Sequence, residues 1–435
     1  MVESNTPLKV KVAVADLDGI LRGKYMHYDK FKSALQEGFG FCNVVLGWDM
    51  LDECYPAVPY TGWHSAYPDA KTSIDEATER NIPWENELPF YLADFSNDKN
   101  ASLICPRSIL KKVEQKAASM GYKALCAQEF EWFNFYNQGE DHVQKPETIT
   151  SGMYGYSILK SSYNSPYFHQ LFDDLNAFKI PLEGLHTETG PGVFEAAIQK
   201  TSLLEAADRA VLFKTAVKEI AYKNGYKASF MAKWNADLPG CSGHIHQSLW
   251  SLDKDETIFG KDESGNELLK HFIAGQLHCL PHLLPMYAPT INSYKRLVKG
   301  TWAPINASWG VENRTCAVRA ISSAESGWRA EMRVPGSDSN PYLAMAASVA
   351  SGLFGIQNKL ELQEPIVGNA YEADKAIKFP SSLEKATILM KSSSIAKELF
   401  GDAFVEHFCY TREQEVEKYN TSVSDWELNR YFTII

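Results

Sequence analysis

The stretch of sequence that decides the fold is Asn292-Ser-Tyr-Lys-Arg-Leu-Val-Lys-Gly-Thr-Trp-Ala-Pro304, followed by Asn313-Arg314, Arg319 and Arg329-Ala-Glu331-Met-Arg333. It gathers arginines in a loop-rich part of an otherwise acidic chain. The planar guanidinium group of arginine binds carboxylate and phosphate oxygens through two parallel hydrogen bonds, whereas lysine offers a point charge. The pattern therefore indicates a pocket that handles phosphate, metal and a carboxylate substrate together, and it favours ATP-driven ligation.

The length of the chain limits the number of domains, and its charge argues against one class of protein. The chain has 435 residues, of which 45% are hydrophobic, and its 43 basic and 54 acidic residues give a formal charge of −11. This length allows two domains with substantial cores, or one large domain. The acidic balance argues against a general nucleic-acid-binding protein, which needs a basic surface.

The cysteines and the apolar segments indicate the compartment. The eight cysteines form no Cys-x-x-Cys pair, and the first residues contain no apolar signal segment. No apolar run approaches the length that spans a bilayer. We therefore expect a cytoplasmic protein with reduced thiols and no membrane partner.

The N-terminal region has the pattern of a small sheet. Asp18-Gly19 predicts a hairpin turn, and the strand candidates are residues 8–16, 21–26 and 41–46. Residues 48–89 are rich in Pro, Tyr, Trp and Asp, and their weak periodicity predicts an irregular, functional segment. A helix is expected to begin at Cys105-Pro106. We place a domain boundary before it, which gives domains of residues 1–104 and 105–435.

The second domain mixes strands and helices. Strand candidates are residues 123–133, 192–198, 228–233 and 242–249. Residues 202–225 have the pattern of an amphipathic helix, with Ser202 as N-cap and Glu205 completing a capping box. A helix from Tyr342 to about Leu360 carries a face of Ala, Gly and Ser, which predicts close packing in the core.

Glu129 and Glu131 lie two residues apart in a candidate strand, so their side chains point to the same face. Two carboxylates on a buried face repel each other unless a cation binds them. The alternative is a solvent-exposed face with hydrated glutamates. The flanking residues are apolar, with Ala-Leu-Cys-Ala before and Trp-Phe after, and they favour metal ligation.

Two further carboxylates flank a turn in His186-Thr-Glu188-Thr-Gly-Pro-Gly-Val-Phe-Glu195. Such a turn allows Glu188 and Glu195 to reach one centre, and a surface hairpin fits the pattern equally well.

Downstream, Glu331 and Arg333 share a strand face. One suits a metal and the other a phosphoryl oxygen, and the alternative is an exposed pair of opposite charges.

The motif Gly240-Cys-Ser-Gly-His244-Ile-His246-Gln-Ser248 is a glycine loop that enters a strand, with both histidines on one face. Three interpretations are open: a zinc site with Cys241, a phosphate-binding loop, and two structural histidines. Zinc is disfavoured because no second cluster of Cys or His completes the coordination shell. Sites rich in carboxylates with one imidazole suit Mg²⁺ or Mn²⁺ better.

In this order, the motifs resemble those of the glutamine synthetase superfamily, most closely its γ-glutamylamide ligase branch. The resemblance extends over nearly the whole chain, from Asp16-Leu-Asp-Gly and Gly47-Trp-Asp49 to Asn340-Pro-Tyr. It implies an α+β fold, with a small β-grasp-like N-terminal domain and a larger C-terminal catalytic α/β domain built on an antiparallel sheet. It also implies a homo-oligomer, a dodecamer of two stacked hexameric rings, in which a neighbour's N-terminal domain completes each site.

The resemblance implies L-glutamate, ATP and an amine as substrates, together with two or three divalent cations, Mg²⁺ or Mn²⁺. The γ-carboxylate of glutamate would attack ATP to give a γ-glutamyl phosphate, and the amine would then displace phosphate. By match, the ligands of one cation are Glu131, Glu188 and Glu195, and those of the second are Glu129, His244 and Glu331.

Other positions match the substrate and nucleotide residues of the family. Arg296 matches the arginine that binds the glutamate carboxylate. The remaining residues expected at the substrates are Gly240, His246, Glu131 and Trp302. The residues expected to neutralise the transferred phosphoryl group are Arg314 and Arg333, and those expected to contact ATP are Ser248, Arg319 and Arg329.

Departures from the family pattern concern the amine. Members that use ammonia carry a glutamate in a Gly-Tyr-Glu-Ala-Pro context, where this chain has Gly300-Thr-Trp302-Ala-Pro304. A buried tryptophan accepts no proton, but its ring contacts apolar groups and cations, which favours an organic amine over ammonium. The alternative is that Trp302 only packs, and that another carboxylate binds ammonium. Asp49 is the candidate for the acidic residue that a neighbouring subunit supplies to deprotonate the amine, and Pro239 replaces an asparagine that usually precedes the loop glycine.

The leading hypothesis is a γ-glutamylamide ligase that acts on a small amine, such as an alkylamine, an arylamine, ethanolamine or a polyamine. The second hypothesis is glutamine synthetase with ammonia. A third is an inactive structural relative, against which the full set of matched ligands and arginines argues. A zinc-dependent binding protein built around Cys241, His244 and His246 is the least favoured.

Overall fold

The computed structural model describes residues 7–139, 146–260, 262–323, 327–373 and 376–435. Within these ranges a small mixed sheet precedes a large sheet that helices cover on one face. The strands of the small sheet are β1 (Lys9–Ala15), β2 (Leu21–His27), β3 (Phe39–Cys42), β4 (Asp69–Ile74), β5 (Arg80–Ile82) and β6 (Leu88–Asp94).

The small sheet has the strand order β2-β1-β6-β4-β3, and β5 pairs with β6. β1 and β6 run parallel, and the other pairs run antiparallel. The β1–β2 hairpin turns at Asp18-Gly19, as the sequence predicts, and Gly19 adopts a left-handed φ of 78°.

The large sheet has the order β14-β15-β16-β12-β7-β9-β8, with β10 and β11 also paired to β7. Its strands are β7 (Tyr122–Tyr136), β8 (Leu182–Thr187), β9 (Val193–Ile198), β10 (Thr201–Ser202), β11 (Tyr226–Ser229), β12 (Gly243–Ser251), β14 (Trp309–Val311), β15 (Val318–Ser323) and β16 (Gly327–Met332). A short ladder joins β13 (Asn306–Ala307) and β17 (Ile377–Lys378). Apart from the parallel pair β14–β15, the large sheet is antiparallel, as expected.

The helices of the described residues are α1 (Tyr28–Glu37), α2 (Pro106–Ser119), α3 (Ile158–Tyr163), α4 (Ser165–Ala177), α5 (Leu203–Lys223), α6 (Glu263–Tyr287), α7 (Ser293–Arg296), α8 (Pro341–Gln357), α9 (Leu383–Ser392), α10 (Ser394–Phe400), α11 (Asp402–Thr421) and α12 (Asp425–Tyr431). None of them combines the length and the apolar character that crossing a bilayer requires. All eight cysteines are free thiols.

The long strand β7 separates the core from the site. Its even-numbered residues from Ala124 to Trp132 are buried, whereas the odd-numbered residues from Leu125 to Glu131 are only half-buried. Because alternate side chains of a strand point to opposite faces, the even set packs beneath α5 and α2. The odd set, which includes Glu129 and Glu131, therefore lies on the opposite face.

The small residues of α8 allow two helices to cross in close contact, as the sequence predicts. A Cβ atom on Gly275 of α6 would lie 2.2 Å from the carbonyl oxygen of Ser351 and 2.6 Å from the Cα of Gly355. No L side chain fits such a gap, so both glycines are required for the crossing. The core beneath the large sheet depends on this contact.

Three predicted segments differ from the structure. β3 ends at Cys42 and a 3₁₀ turn follows, in which buried Asn43 accepts a 2.7 Å hydrogen bond from Thr61 Oγ1. The segment 48–89, expected to be irregular, contains β4, β5 and the start of β6, because the short residues of β4 give a weakly apolar alternation. β11 ends at Ser229 instead of Lys233, whose backbone N–H donates to Asn292 Oδ1 at 2.7 Å.

The predicted capping box at the start of α5 is wrong. Ser202 occupies the N-cap position, but its side chain makes no capping hydrogen bond. Glu205 instead accepts hydrogen bonds of 2.8 Å from both Arg80 and Arg209. Glu205 thus pairs with two full positive charges, whereas a capping box would offer it one neutral backbone N–H group.

Buried Arg107 of α2 joins the small sheet to the core. It makes two hydrogen bonds to Asp208 of α5, at 2.9 and 2.8 Å, and one of 2.6 Å to Asp94 at the end of β6. Asp208 also accepts a 2.6 Å hydrogen bond from Tyr342 of α8. Arg107 therefore links α2 to β6 and α5, and Asp208 extends this link to α8.

Replacing Asp208 with asparagine is expected to lower the free energy of unfolding by about 3 kcal/mol, because it leaves a buried guanidinium group with less negative charge. Urea unfolding followed by circular dichroism measures the change. Exposed Asp173→Asn on α4 is the control, and its effect should stay within about 0.5 kcal/mol. Equal unfolding midpoints for the two variants would refute the role given to this contact.

Candidate functional site

Neighbouring strands of the large sheet bring the predicted acidic residues and histidines into register. Glu129 of β7 lies opposite His244 of β12, and Glu131 lies opposite Glu195 of β9. On the other side of β12, His246 lies opposite Glu331 of β16. Because directly opposed residues share a face, these side chains form a band across the open face of the sheet.

The first group in this band, called the inner cluster, consists of Glu129, His244, His246 and Glu331. His244 Nδ1 lies 3.3 Å from Glu129 Oε1 and 3.3 Å from Glu331 Oε1. Ligand atoms of Glu129, His246 and Glu331 lie within 4.8 Å of one another. The structure thus brings together the three predicted ligands Glu129, His244 and Glu331, and it adds His246 to them.

The second group, called the outer cluster, consists of His186, Glu188 and Glu195, whose ligand atoms also lie within 4.8 Å of one another. His186 Nε2 lies 3.1 Å from Glu195 Oε1, and its Nδ1 lies 3.9 Å from Glu188 Oε2. Glu131 is the cross-strand neighbour of Glu195, and its Oε2 accepts a 2.8 Å hydrogen bond from the backbone N–H of Ser242. Glu188 and Glu195 therefore meet as predicted, with His186 between them.

The pKa values reflect crowded negative charge. Burial, followed by repulsion from Glu129 and Glu131, raises the pKa of Glu195 to about 8. A cation beside these carboxylates would remove that repulsion. Two carboxylate-rich groups with imidazole neighbours are the ligand set that Mg²⁺ and Mn²⁺ prefer, so the residues present fit divalent cations.

Glu331 shows the opposite behaviour. Burial favours its neutral form, but the charge of Arg333, together with His246, His244 and Arg319, outweighs burial and lowers the pKa of Glu331. Its carboxylate accepts a hydrogen bond from Arg333 Nη1 and one of 3.1 Å from Arg319 Nη1. Glu331 is therefore ionised at neutral pH and links the inner cluster to the arginines.

The structure places the predicted arginines around the inner cluster. Arg329 Nε donates to His246 Nδ1 at 3.3 Å, and Arg333 Nε donates to the backbone carbonyl of Arg314 at 3.1 Å. Arg319 also donates to exposed Glu312, which the sequence analysis did not single out. Arg314 itself is exposed. The open face of the sheet thus carries several positive charges beside the acidic residues.

Arg296 and Gly240 lie in contact with each other. Arg296 is buried and donates hydrogen bonds to the backbone carbonyls of Val334, at 2.9 Å, and Arg333, at 3.3 Å. A Cβ atom on Gly240 would lie 2.8 Å from Arg296 Cγ and 2.4 Å from the carbonyl oxygen of Ala232. The loop glycine therefore gives Arg296 the space it occupies.

Replacing Gly240 with alanine is expected to raise the KM for L-glutamate about tenfold, because the methyl group would displace either the loop or Arg296. The methyl group cannot be accommodated in place, because the backbone oxygen of Ala232 cannot move away as a flexible side chain can. Steady-state kinetics with varied glutamate measures the effect. Gly184→Ala in β8, whose Cβ would meet nothing within 4 Å, is the control and should leave KM unchanged. A normal KM in Gly240→Ala would separate this loop from glutamate binding.

Trp302 is exposed, whereas the sequence analysis expected it to be buried. Its side chain is 63% exposed, and its backbone has a left-handed φ of 62°. The residue follows Gly300, whose φ is 84°, and its carbonyl accepts a 3.5 Å hydrogen bond from Arg333 Nη2. The loop thus curls its backbone toward the arginines and turns the indole ring outward. The exposure of Trp302 could not be predicted from the sequence, because it depends on this backbone turn.

Asp49 contacts its own loop and the C-terminal helix α11. Its Oδ1 accepts hydrogen bonds from the backbone N–H groups of Leu51 and Glu53, at 2.8 and 3.0 Å, and its Oδ2 pairs with Lys418. Burial opposes ionisation of Asp49, but Lys418 and the backbone groups lower its pKa. Within the described residues these contacts do not connect Asp49 to either cluster. Ser248, which the sequence analysis expected at ATP, lies on β12 and accepts a 2.9 Å hydrogen bond from Trp250 Nε1.

Two residues of the site were not assigned a role from the sequence. His186 lies in the outer cluster, and Tyr156 stacks on it with ring centroids 4.4 Å apart. The cross-strand pairing of β8 with β9 places His186 beside Glu195. The sequence offered a signal for His186, which lies two residues before Glu188. It offered none for Tyr156, which lies on an irregular segment.

The chain is similar to known proteins over nearly its whole length. A family described as "Glutamine synthetase, catalytic domain" matches residues 103–431. The chain is 48% identical to the type-1 glutamine synthetase 2 of Dictyostelium discoideum over 98% of this chain and 84% of that relative. It is 36% identical to the glutamate–isopropylamine ligase of a Pseudomonas species over 100% of this chain and 97% of that relative. A solved structure of a GmaS/ADP complex matches with a TM-score of 0.84 at 24% identity, covering 98% of this chain and 97% of the other, and this likeness confirms the expected fold class.

Proposed function

This chain belongs to the glutamine synthetase family, and we propose that within it the protein is an ATP-dependent ligase that joins the γ-carboxylate of L-glutamate to a small organic amine. The matched family model covers most of the chain, and both curated relatives are similar over nearly its whole length. The reaction would pass through a γ-glutamyl phosphate, from which the amine displaces phosphate.

The observation that carries the choice of amine is the composition of the loop after Arg296. From Leu297 to Pro304 it contains no acidic residue, and Trp302 stands where ammonia-using members have a glutamate. The exposed indole ring on this loop offers an apolar, cation-attracting surface and no proton acceptor. The similarity to a glutamate–isopropylamine ligase supports the same choice.

The two clusters would hold the divalent cations. We propose Glu129, His244 and Glu331 as ligands of one cation, and Glu131, Glu188 and Glu195 as ligands of the other. His246 and His186 lie in hydrogen-bond or near-contact range of these carboxylates and would orient them. When bound, the cations would supply charge neutralisation for the phosphates of ATP.

The arginines would bind two kinds of group, the carboxylate of glutamate and the phosphates. Buried Arg296 uses two donors on backbone carbonyls and keeps others for the glutamate carboxylate, with Gly240 providing the space beside it. Arg314 and Arg333 would neutralise the transferred phosphoryl group. Arg319, Arg329 and Ser248 would contact ATP. Positioning and charge neutralisation of this kind provide most of the catalysis in phosphoryl transfer.

The amine would be deprotonated by Asp49 of a neighbouring subunit in a homo-oligomer of two hexameric rings. Lys418 lowers the pKa of Asp49 against the effect of burial, so Asp49 is ionised at neutral pH and its charge would attract the ammonium form of the amine before deprotonation. Exposed Leu51 and Trp63 on the surrounding loop support a contact with another subunit. We further propose that residues 1–104 and 105–435 are separate domains and that the protein acts in the cytoplasm.

Glutamine synthetase with ammonia is the second candidate, because a relative of that name is 48% identical. Phosphate release from ATP, measured with L-glutamate and Mg²⁺ across ammonium, methylamine, isopropylamine, ethanolamine, putrescine and aniline, decides between the two. We expect one organic amine to give a higher kcat/KM than ammonium. Ammonium as the best acceptor would establish the second candidate instead, and no turnover with any acceptor would contradict both.

A further inference from the structure

The loop that precedes β12 is closed by the side chain of a buried lysine. Lys233 is 8% exposed, and its Nζ donates a hydrogen bond to the backbone carbonyl of Leu238, five residues further along the loop. Just outside this contact, the backbone N–H of Cys241 donates to the carbonyl of Ala232 at 2.9 Å. The two bonds together draw residues 232–241 into a closed loop.

A side-chain amide fastens this loop to the segment that carries Arg296. Asn292 Oδ1 accepts a 2.7 Å hydrogen bond from the backbone N–H of Lys233, and Asn292 Nδ2 donates one of 2.8 Å to the carbonyl of the same residue. Asn292 directly precedes helix α7, whose last residue is Arg296. The paired bonds therefore fix the start of the loop relative to α7.

The other end of the loop lies against Arg296 through Gly240. Proline has no backbone N–H, so Pro239 cannot donate a hydrogen bond that would hold the chain just before this glycine. Among the described residues, the bond that Leu238 accepts from Lys233 is the last hydrogen bond of the loop before Gly240. The position of Gly240 beside the guanidinium group thus depends on the ammonium group of Lys233.

The burial of Lys233 does not favour stability. No ion pair of Lys233 occurs within the described ranges, although the charge of Asp237 acts on it, and burial lowers its pKa. A buried ammonium group without an ion pair lowers the stability of a fold. Leu238 is only half-buried, so water could bind its carbonyl if the lysine were absent. These facts indicate a use for Lys233 other than stabilisation.

We propose that Lys233 is a positioning residue for L-glutamate, because its ammonium group holds the loop in the shape that sets Gly240 beside Arg296, while Asn292 ties that loop to α7. This inference rests on the proposed function, in which Gly240 and Arg296 bind glutamate. Lys233 acts through the loop and contacts no reacting atom. Its loss should therefore weaken glutamate binding and leave the chemical steps intact.

The first test is Lys233→Met, which keeps an unbranched chain and removes the ammonium group. It is expected to raise both the KM and the Kd for L-glutamate about tenfold, the size of effect that loss of one charge-assisted hydrogen bond produces. The value of kcat is expected to change less than about twofold, because the contact is not one made in the transition state alone. Steady-state kinetics with the best acceptor gives KM and kcat, and calorimetry with ADP and Mg²⁺ but no amine gives Kd.

The matched control is Lys227→Met. Lys227 also donates its Nζ to a backbone carbonyl, that of Gly139 at 3.1 Å, but it is exposed and lies on β11 outside the loop. Its replacement should leave the KM and Kd for glutamate unchanged. A second variant, Asn292→Ala, removes the tie to α7 and retains the lysine. It is expected to weaken glutamate binding to an extent similar to that of Lys233→Met.

Urea unfolding separates positioning from a purely structural role. Lys233→Met is expected to be at least as stable as the wild-type protein, so a lower unfolding midpoint together with an unchanged Kd for glutamate would overturn the proposal. The double variant of Lys233→Met and Gly240→Ala gives a further check. Because both changes act through one loop, its KM should exceed that of Gly240→Ala by less than about threefold, and full multiplication of the two effects would contradict the proposal.

The calorimetry also distinguishes this inference from the proposed function. A wild-type protein that binds no glutamate would contradict both. Glutamate binding of equal affinity in the wild-type protein, Lys233→Met and Asn292→Ala would overturn the inference alone and leave the proposed function standing.

Discussion

Replacing Glu331 with glutamine is expected to lower kcat for phosphate release roughly 10³-fold. Glu331 is 1% exposed and is the residue through which the inner cluster meets Arg319 and Arg333. A neutral amide would remove about 4 kcal/mol of charge stabilisation from the transition state, by loss of a proposed cation ligand and by depriving Arg333 of this carboxylate partner. Stopped-time phosphate assays at saturating substrates measure the change.

The matched control for this variant is Glu312→Gln. Glu312 accepts a hydrogen bond from the same Arg319, but it is exposed and belongs to neither cluster. Its replacement should change kcat less than about tenfold, since exposed ion pairs contribute about 0–1 kcal/mol. Mn²⁺ titration followed by calorimetry should show one site fewer in Glu331→Gln than in the control. A Glu331→Gln protein with the Mn²⁺ stoichiometry and kcat of the control would exclude Glu331 from the metal site.

Replacing Trp302 with glutamate is expected to raise the ratio of kcat/KM for ammonium to that for the best organic amine about 100-fold. The new carboxylate would bind ammonium and accept its proton, and a positioned proton acceptor contributes about 10²–10⁴ in rate. Loss of the indole ring would at the same time remove the apolar surface for the organic amine. The backbone carbonyl of residue 302 would keep its contact with Arg333.

Trp302→Gln separates these two effects, because glutamine has the size of glutamate and lacks its charge. It should lose activity with the organic amine and gain none with ammonium. If Trp302→Glu and Trp302→Gln show the same ratio, the carboxylate at this position does not select the acceptor. Both variants place an unbranched side chain at an exposed position with φ of 62°, so their folding should be alike.

Much of the candidate site could be predicted because strand periodicity is local. The spacing of Glu129 and Glu131 gives their common face, and β7 indeed presents both away from the core. The order of motifs predicted that His244 and Glu331 would join them. The inclusion of His246 and of His186 depends on the register between strands, which pairs His246 with Glu331 and His186 with Glu195. The sequence places His246 on the face of His244, and His186 two residues before Glu188, but the opposite residues that they meet are set by tertiary structure.

The errors in the fold have the same origin. Glu205 was expected to cap its own helix, but Arg80, which is more than 100 residues away in sequence, provides a stronger partner. Trp302 was expected to be buried, and the left-handed backbone turn exposes it.

The contact at Arg107 can form only late in the synthesis of the chain, because its partners are far apart in sequence. Asp94 leaves the ribosome long before Asp208 and Tyr342, with which it is finally connected through Arg107. At about 5–20 residues per second, the end of β6 waits roughly 10 to 50 s for Tyr342. Until α5 and, later, α8 are made, Phe90 and the rest of the inward face of the small sheet lack these partners in the core. The nascent small sheet should therefore be a client of ribosome-associated chaperones.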